Sequence, residues 1–386
     1  MDVSSSVFDR VFDRVIDRSE MSSDKWAKYP EQVIPMWVAD MDFDAPECIK
    51  AALKERVEQG VFGYTHTPKA LVLAIQNHLK TRYAWSISGG HLVHLPGLVC
   101  ALHLSVQIFS EKGDGIVVPG PVYYHLTKAP ELAGRELHTI DMVLQDDRWL
   151  PDMQAFEAAC ALQNSKMVLL CNPHNPGGTV FRREELLAMH SIAEKYDLLV
   201  VSDEIHCDLI LEELPHIPFA SLNEDAAQRT ITLMAPSKTF NIAGLGYAFA
   251  VIENAQLRQT FKQARAGLVA SPNMLGLTAA TSAYEDGQQW HRSLLEYLRH
   301  NRDYLAQRLA NTPLKMNHLE GTYLAWIDAS DLPVEDPYEF FLNAGVGVSS
   351  GKDFGNASFV RLNFGCPMSL LQQALDRIEA ALAKVV

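Results

Sequence analysis

No apolar run in the 386 residues is long enough to cross a bilayer as a helix. The first residues, MDVSSSVFDRVFDRVIDR, are charged and lack the apolar core of a secretory signal. Basic residues are scarce: 33 Lys and Arg face 47 Asp and Glu, for a formal net charge of -14. Such a surface repels phosphate backbones and anionic lipids, so neither nucleic acid nor membrane is expected as a partner. The six cysteines (Cys48, Cys100, Cys160, Cys171, Cys207 and Cys366) form no C-x-x-C pair, and most sit in apolar runs. No metal site is expected, and the thiols fit a reduced, cytoplasmic, soluble protein. Repeats, low-complexity tracts and obvious linkers are also missing.

What is present is an ordinary globular composition, 48% hydrophobic and 21% charged. The length exceeds one simple core, so two domains are expected. Gly115–Pro119, Lys166–Cys171, Leu198–Ser202, Thr230–Ala235 and Tyr247–Ile252 are short β-branched runs without polar alternation. That pattern predicts strands buried on both faces. Helical periodicity separates them, as in Leu98–Phe109 and Glu184–Tyr196, which predicts an α/β domain with a mostly parallel sheet. Farther on, Gln289–Asn311 reads as a long amphipathic helix. Thr322–Ala329 and Phe359–Phe364 read as strands and Leu370–Val385 as a last helix. The expected division is a large domain over 48–287 and a smaller α+β domain built from 1–47 and 288–386.

Five segments carry chemistry. Ala235–Gly244 (APSKTFNIAG) follows a buried strand and sets Lys238 among small and apolar residues. Burial lowers a lysine's pKa and makes its amine nucleophilic, as a Schiff-base lysine requires; a surface loop lysine is the competing view. Val200–His206 (VVSDEIH) ends a strongly apolar strand on Asp203, where open α/β sheets bind ligands. An ordinary helix cap would also explain Asp203, and a hydrogen-bonded core histidine would explain His206. Cys171–Gly178 (CNPHNPGG) is a rigid turn that presents the Asn175 amide. Gly97 opens a helix whose first N–H groups suit a phosphate, and Tyr123, after another strand, could stack on a ring, with a buried core tyrosine an equal reading. Arg361 lies inside the apolar strand FVRLNFG, where an unpaired guanidinium is costly. A substrate carboxylate matches it in bidentate fashion, and a structural salt bridge would equally satisfy it.

Taken in the order Asn175, Asp203, Lys238, Arg361, these segments resemble the fold-type I pyridoxal 5'-phosphate (PLP) enzymes of the aspartate aminotransferase superfamily, over nearly the whole chain. Trp37–Phe43 (WVADMDF), NPHNPGG, SDEIHCD and APSKTFNIAGL are similar more narrowly to the MalY/PatB group of cystathionine β-lyases. The resemblance implies a PLP-dependent transferase-like fold, with a mostly parallel, seven-stranded type of sheet in the large domain. It implies that Lys238 carries the cofactor and acts as base, and that Asp203 faces the pyridine nitrogen. Asn175 would bind the phenolic oxygen with His206 near it, and Tyr123 would stack on the ring and join the catalytic set. Gly97, Leu98, Val99 and Ser237 would hold the phosphate. Tyr64, in FGYTH, would reach the phosphate of a second subunit, which implies a homodimer. Arg361, with Asn175, would take the substrate carboxylate, and Trp37, Ala39 and Asp40 would line the substrate mouth. Three positions depart from typical aminotransferases: His206 stands for Tyr, Gly246 for a phosphate-binding Arg, and Ala235 for a phosphate-binding Ser. These departures agree with the lyase group.

The implied activity is β-elimination from L-cystathionine or related cysteine S-conjugates, giving a thiol, pyruvate and ammonia. The alternatives are an aminotransferase with the same cofactor and lysine, and a regulatory protein that uses this fold to bind a protein partner.

Overall fold

The computed structural model describes residues 11–385. The expected contribution of residues 1–10 to the smaller domain lies outside them. Strand β1 (Ile34–Pro35) precedes an eight-stranded sheet. Its members are β2 (Leu92–Leu95), β3 (Gly115–Gly120), β4 (Glu136–Gln145), β5 (Arg148–Pro151), β6 (Ser165–Cys171), β7 (Leu199–Asp203), β8 (Thr230–Met234) and β9 (Ala248–Val251). They lie in the order β2-β9-β8-β7-β6-β3-β4-β5. The central pairs from β8 through β4 are parallel. Strand β9 runs antiparallel to both of its neighbours.

The expected seven strands are present, and β5 adds an eighth through a hairpin. Asp146 and Asp147 both adopt positive φ there, 48° and 61°, as a two-residue hairpin loop requires. Strands β3 and β8 are buried at every position, and β6 and β7 at nearly every one. Helices cover both faces, which explains their unbroken apolar runs.

The C-terminal part forms a four-stranded antiparallel sheet in the order β10-β11-β14-β13. These are β10 (Lys315–Met316), β11 (Leu324–Asp328), β13 (Ser349–Ser350) and β14 (Phe359–Asn363), with β12 (Val346–Gly347) pairing in parallel with β1. The helices Gln288–Leu309 and Met368–Leu382 pack together beside it. Their apolar stripes, Leu294, Leu298 and Leu305 on one and Leu371, Leu375 and Ile378 on the other, join one core with Phe12, Met36 and Phe43. The N-terminal segment is thereby tied to the C-terminal sheet.

Among the described residues, no helix is long and apolar enough to cross a membrane.

Candidate active site

Four parallel strands end on the same edge of the large sheet, and the loops that follow them build one cavity of about 330 Å³. Strand β7 ends on Asp203, β6 leads to Asn175, β8 leads to Lys238 and β3 leads to Tyr123. Strand β2 leads through Pro96 and Gly97 into the helix Leu98–Phe109. The C-terminal sheet closes the other side with Ser349 and Arg361, and the N-terminal segment adds Trp37 and Ala39. A carboxyl-edge crevice is where an open α/β sheet leaves room for a ligand.

Lys238 has its Nζ donating to the Ala39 carbonyl at 2.7 Å. Burial brings its pKa down to about 8, with Asp40 and Asp203 opposing and Arg361 assisting. It is a half-buried amine on the cavity wall, not a surface-loop lysine. Asp203 is 3% exposed, and burial lifts its carboxyl to about 7. Its Oδ1 accepts from the Ile205 N–H at 3.1 Å, in a turn with no helix to cap. His206 is held neutral, its pKa pushed down to about 3 by burial and by the Lys238 and Arg361 charges. Its Nδ1 has no hydrogen-bond partner among the described residues.

Arg361 is 5% exposed on β14. One guanidinium nitrogen donates to Asn175 Oδ1 at 3.1 Å, and the other to the Trp37 carbonyl at 2.9 Å and Ser349 Oγ at 3.4 Å. Nε has no partner, and the group lies 4.6 Å from the Phe354 ring centre. Burial lowers its pKa to about 10. Among the described residues no carboxylate pairs with it, so a structural salt bridge does not account for it.

Gly97, Leu98, Val99 and Ser237 line the same cavity. Gly97 supplies no side-chain cap to the twelve-residue helix it opens, so the first N–H groups remain available to an anion. Tyr123 lines the wall, with its ring edge-on to Tyr124 at 4.9 Å, and burial raises its hydroxyl pKa. Gly246 also lines the cavity at φ 61°, and a Cβ there would come within 3.1 Å of the Pro96 carbonyl. The backbone thus disfavours the arginine that typical aminotransferases carry.

Asp40, expected at the mouth, and Tyr64, expected to serve a second subunit's site, are not among the lining residues. Tyr64 is fully exposed and outside the cavity. Asp40 turns its carboxylate to Arg18 at 2.9 Å instead of lining the wall. Several lining residues gave no signal in the sequence: Tyr124, Ser349, Asp353 and Phe354. Nor did the buried pair that braces the mouth. Lys25 is 0% exposed, and its Nζ meets Asp42 at 2.6 Å and the Asp40 carbonyl at 2.9 Å.

The sequence model of the family "Aminotransferase class I and II" matches residues 31–378. The chain is 37% identical to cystathionine beta-lyase PatB of Bacillus subtilis (strain 168), over 93% of this chain and 96% of PatB. The crystal structure of OvoB superposes with a TM-score of 0.94 at 49% identity, covering 96% of this chain and 98% of OvoB. Cystalysin from Treponema denticola, whose crystal structure contains a pyridoxal 5'-phosphate cofactor, gives a TM-score of 0.94 at 32% identity over 97% and 99% of the two chains. Matched along nearly its whole length, the chain belongs to the aminotransferase class I and II family of fold-type I PLP enzymes, close to PatB.

Proposed function

We propose that the protein is a PLP-dependent carbon–sulfur β-lyase, cleaving L-cystathionine or related cysteine S-conjugates to a thiol, pyruvate and ammonia. The observation that carries this is the buried Arg361, free of any acidic salt-bridge partner among the described residues, in one cavity with the half-buried Lys238 amine. PatB, named a cystathionine beta-lyase, supports the choice of reaction.

The residues present fit the cofactor. The uncapped helix at Gly97 with Ser237 suits its phosphate, and the buried Asp203 suits a protonated pyridine nitrogen. His206 and the Asn175 amide line the same cavity. When bound, PLP links to Lys238 and supplies the electron sink for the charge left at Cα.

Arg361 and Asn175 hold the substrate carboxylate, which fixes the orientation of the Cα–H bond. Lys238, with its lowered pKa, takes the Cα proton at Nζ. The electron pair then forms the Cα–Cβ double bond, and the Cβ–S pair leaves with sulfur. Beside a protonated pyridine nitrogen Asp203 would carry its charge, and the same burial that lifts its pKa would strengthen that pair. The freed aminoacrylate takes up water to give pyruvate and ammonia.

Tyr64 supports a homodimer whose sites lie at the interface. It is exposed together with Val61 and Phe62 on one segment, and a second subunit would cover that apolar stretch. The pairing of β1 with β12 supports a division into 48–287 and 1–47 with 288–386. The six unpaired thiols support a cytoplasmic location. Assaying pyruvate and thiol together from L-cystathionine tests the activity: equal amounts support it, and neither product refutes it.

A further inference from the structure

The floor and mouth of the cavity differ in exposure. Arg361, Asn175, Asp203 and His206 are each at most 5% exposed, whereas Tyr124 is 41% exposed and Asp353 lies open to solvent. A substrate anchored by its carboxylate on Arg361 must therefore carry its sulfur substituent toward Tyr124 and Asp353.

Asp353 sits on a stiff turn. The 3-10 turn Gly351–Phe354 is capped by Ser350, whose hydroxyl accepts from the Lys352 N–H at 3.3 Å, and ends at Gly355 with φ 100°. Gly351 admits no side chain, because a Cβ would collide with the Asn356 and Phe359 carbonyls. Phe354 is pinned between the Trp326 ring, 5.4 Å away, and the Arg361 guanidinium. The carboxylate next to it is thus presented from a fixed backbone.

Among the described residues no hydrogen bond and no salt bridge holds that carboxylate, and the cations that act on it, Lys28 and Arg361, do so only through space. Lys352 is occupied by Asp336 at 2.7 Å. Lys28 stacks over the Trp37 ring, 4.1 Å from its centre, and feels the Asp353 charge without bonding to it. Arg361 is spent on Asn175, Trp37 and the substrate carboxylate. An unpaired acid at the mouth favours a cationic group arriving there.

Resting on the lyase assignment above, we infer that Asp353 is a specificity-determining residue, selecting cysteine S-conjugates whose sulfur substituent bears a positive charge. The holoenzyme is assayed for pyruvate with three substrates of similar size: S-(2-aminoethyl)-L-cysteine, S-propyl-L-cysteine and S-carboxymethyl-L-cysteine. The wild type prefers the aminoethyl substrate over the propyl one by about threefold to fivefold in kcat/KM, the range of a half-exposed ion pair. Asp353→Asn brings that ratio to near one, and Asp353→Lys moves the carboxymethyl substrate above the aminoethyl one. A wild type without the preference, or a preference that survives Asp353→Asn, overturns the inference. If no substrate yields pyruvate, the lyase assignment fails. Dissociation constants from absorbance titration of the bound cofactor then decide Asp353, with the same order required.

Discussion

Arg361 donates to Asn175 Oδ1 at 3.1 Å, so a strand of the C-terminal sheet and the turn after β6 meet in one hydrogen bond on the cavity floor. The guanidinium keeps Nε unpartnered among the described residues. Replacing it by Arg361→Lys preserves charge but loses the planar fork. The expected result is a rise in KM of about tenfold or more, since charge-assisted hydrogen bonds contribute ~1.5–3 kcal/mol. Steady-state kinetics on L-cystathionine check this, and an unchanged KM counts against Arg361 as the carboxylate anchor.

Lys238→Ala removes both the anchor of the cofactor and the base. Turnover is expected to fall by more than about 10⁴-fold, beyond the ~10²–10⁴ of a lost general base alone, because the covalent anchor is lost as well. The absorbance band of lysine-bound cofactor should vanish as well. Near-normal pyruvate release from the variant would remove Lys238 from the mechanism.

Asp203 makes the cofactor-free protein sensitive to pH. Its folded pKa is raised by burial from 3.8 to about 7, so the folded state holds a proton that the unfolded state has already lost. Stability from this group is full below 3.8 and declines as pH rises to about 7. Asp203→Asn has no such decline. The melting temperature of the variant minus that of wild type should therefore climb across this window and level off above it. A difference that is flat with pH would contradict the burial argument.

Lys25 and Asp42 brace the segment whose Ala39 carbonyl receives Lys238. Breaking a buried pair costs ~3–5 kcal/mol. Asp42 also meets Arg18 at 2.9 Å, which keeps its charge partly compensated. Lys25→Met should therefore fall near the low end of that range in denaturant unfolding. A loss under about 1 kcal/mol, the level of a surface pair, would show that the pair does not hold the segment.

Gly246→Ala tests why the typical arginine is missing. A side chain at φ 61°, pressed against the Pro96 carbonyl, should cost ~1–2 kcal/mol. Thermal unfolding of the cofactor-free variant reads this directly, and an unchanged melting temperature would mean that the turn relaxes freely.

The doubly covered strands were legible because burial on both faces removes polar alternation, as in β3, β6, β7 and β8. Strand β2 is only four residues long, and β4 (ELHTIDMVLQ) mixes exposed and buried positions near the sheet edge, so neither left a period to find. The motif residues Lys238, Asp203, Asn175 and Arg361 stood out because a charged or amide group inside an apolar run needs a partner. Asp353 and Lys25 gave no such sign. One lies in a polar turn and the other near the N-terminus, and only tertiary contacts show that the first lines a cavity while the second is buried.

The most direct measurement is the product balance of the purified holoenzyme with L-cystathionine and no keto acid present. Pyruvate and free thiol in equal amounts are expected, and they should vanish in Lys238→Ala. Amino transfer that depends on an added keto acid, with no pyruvate released from L-cystathionine, would contradict β-elimination at this site.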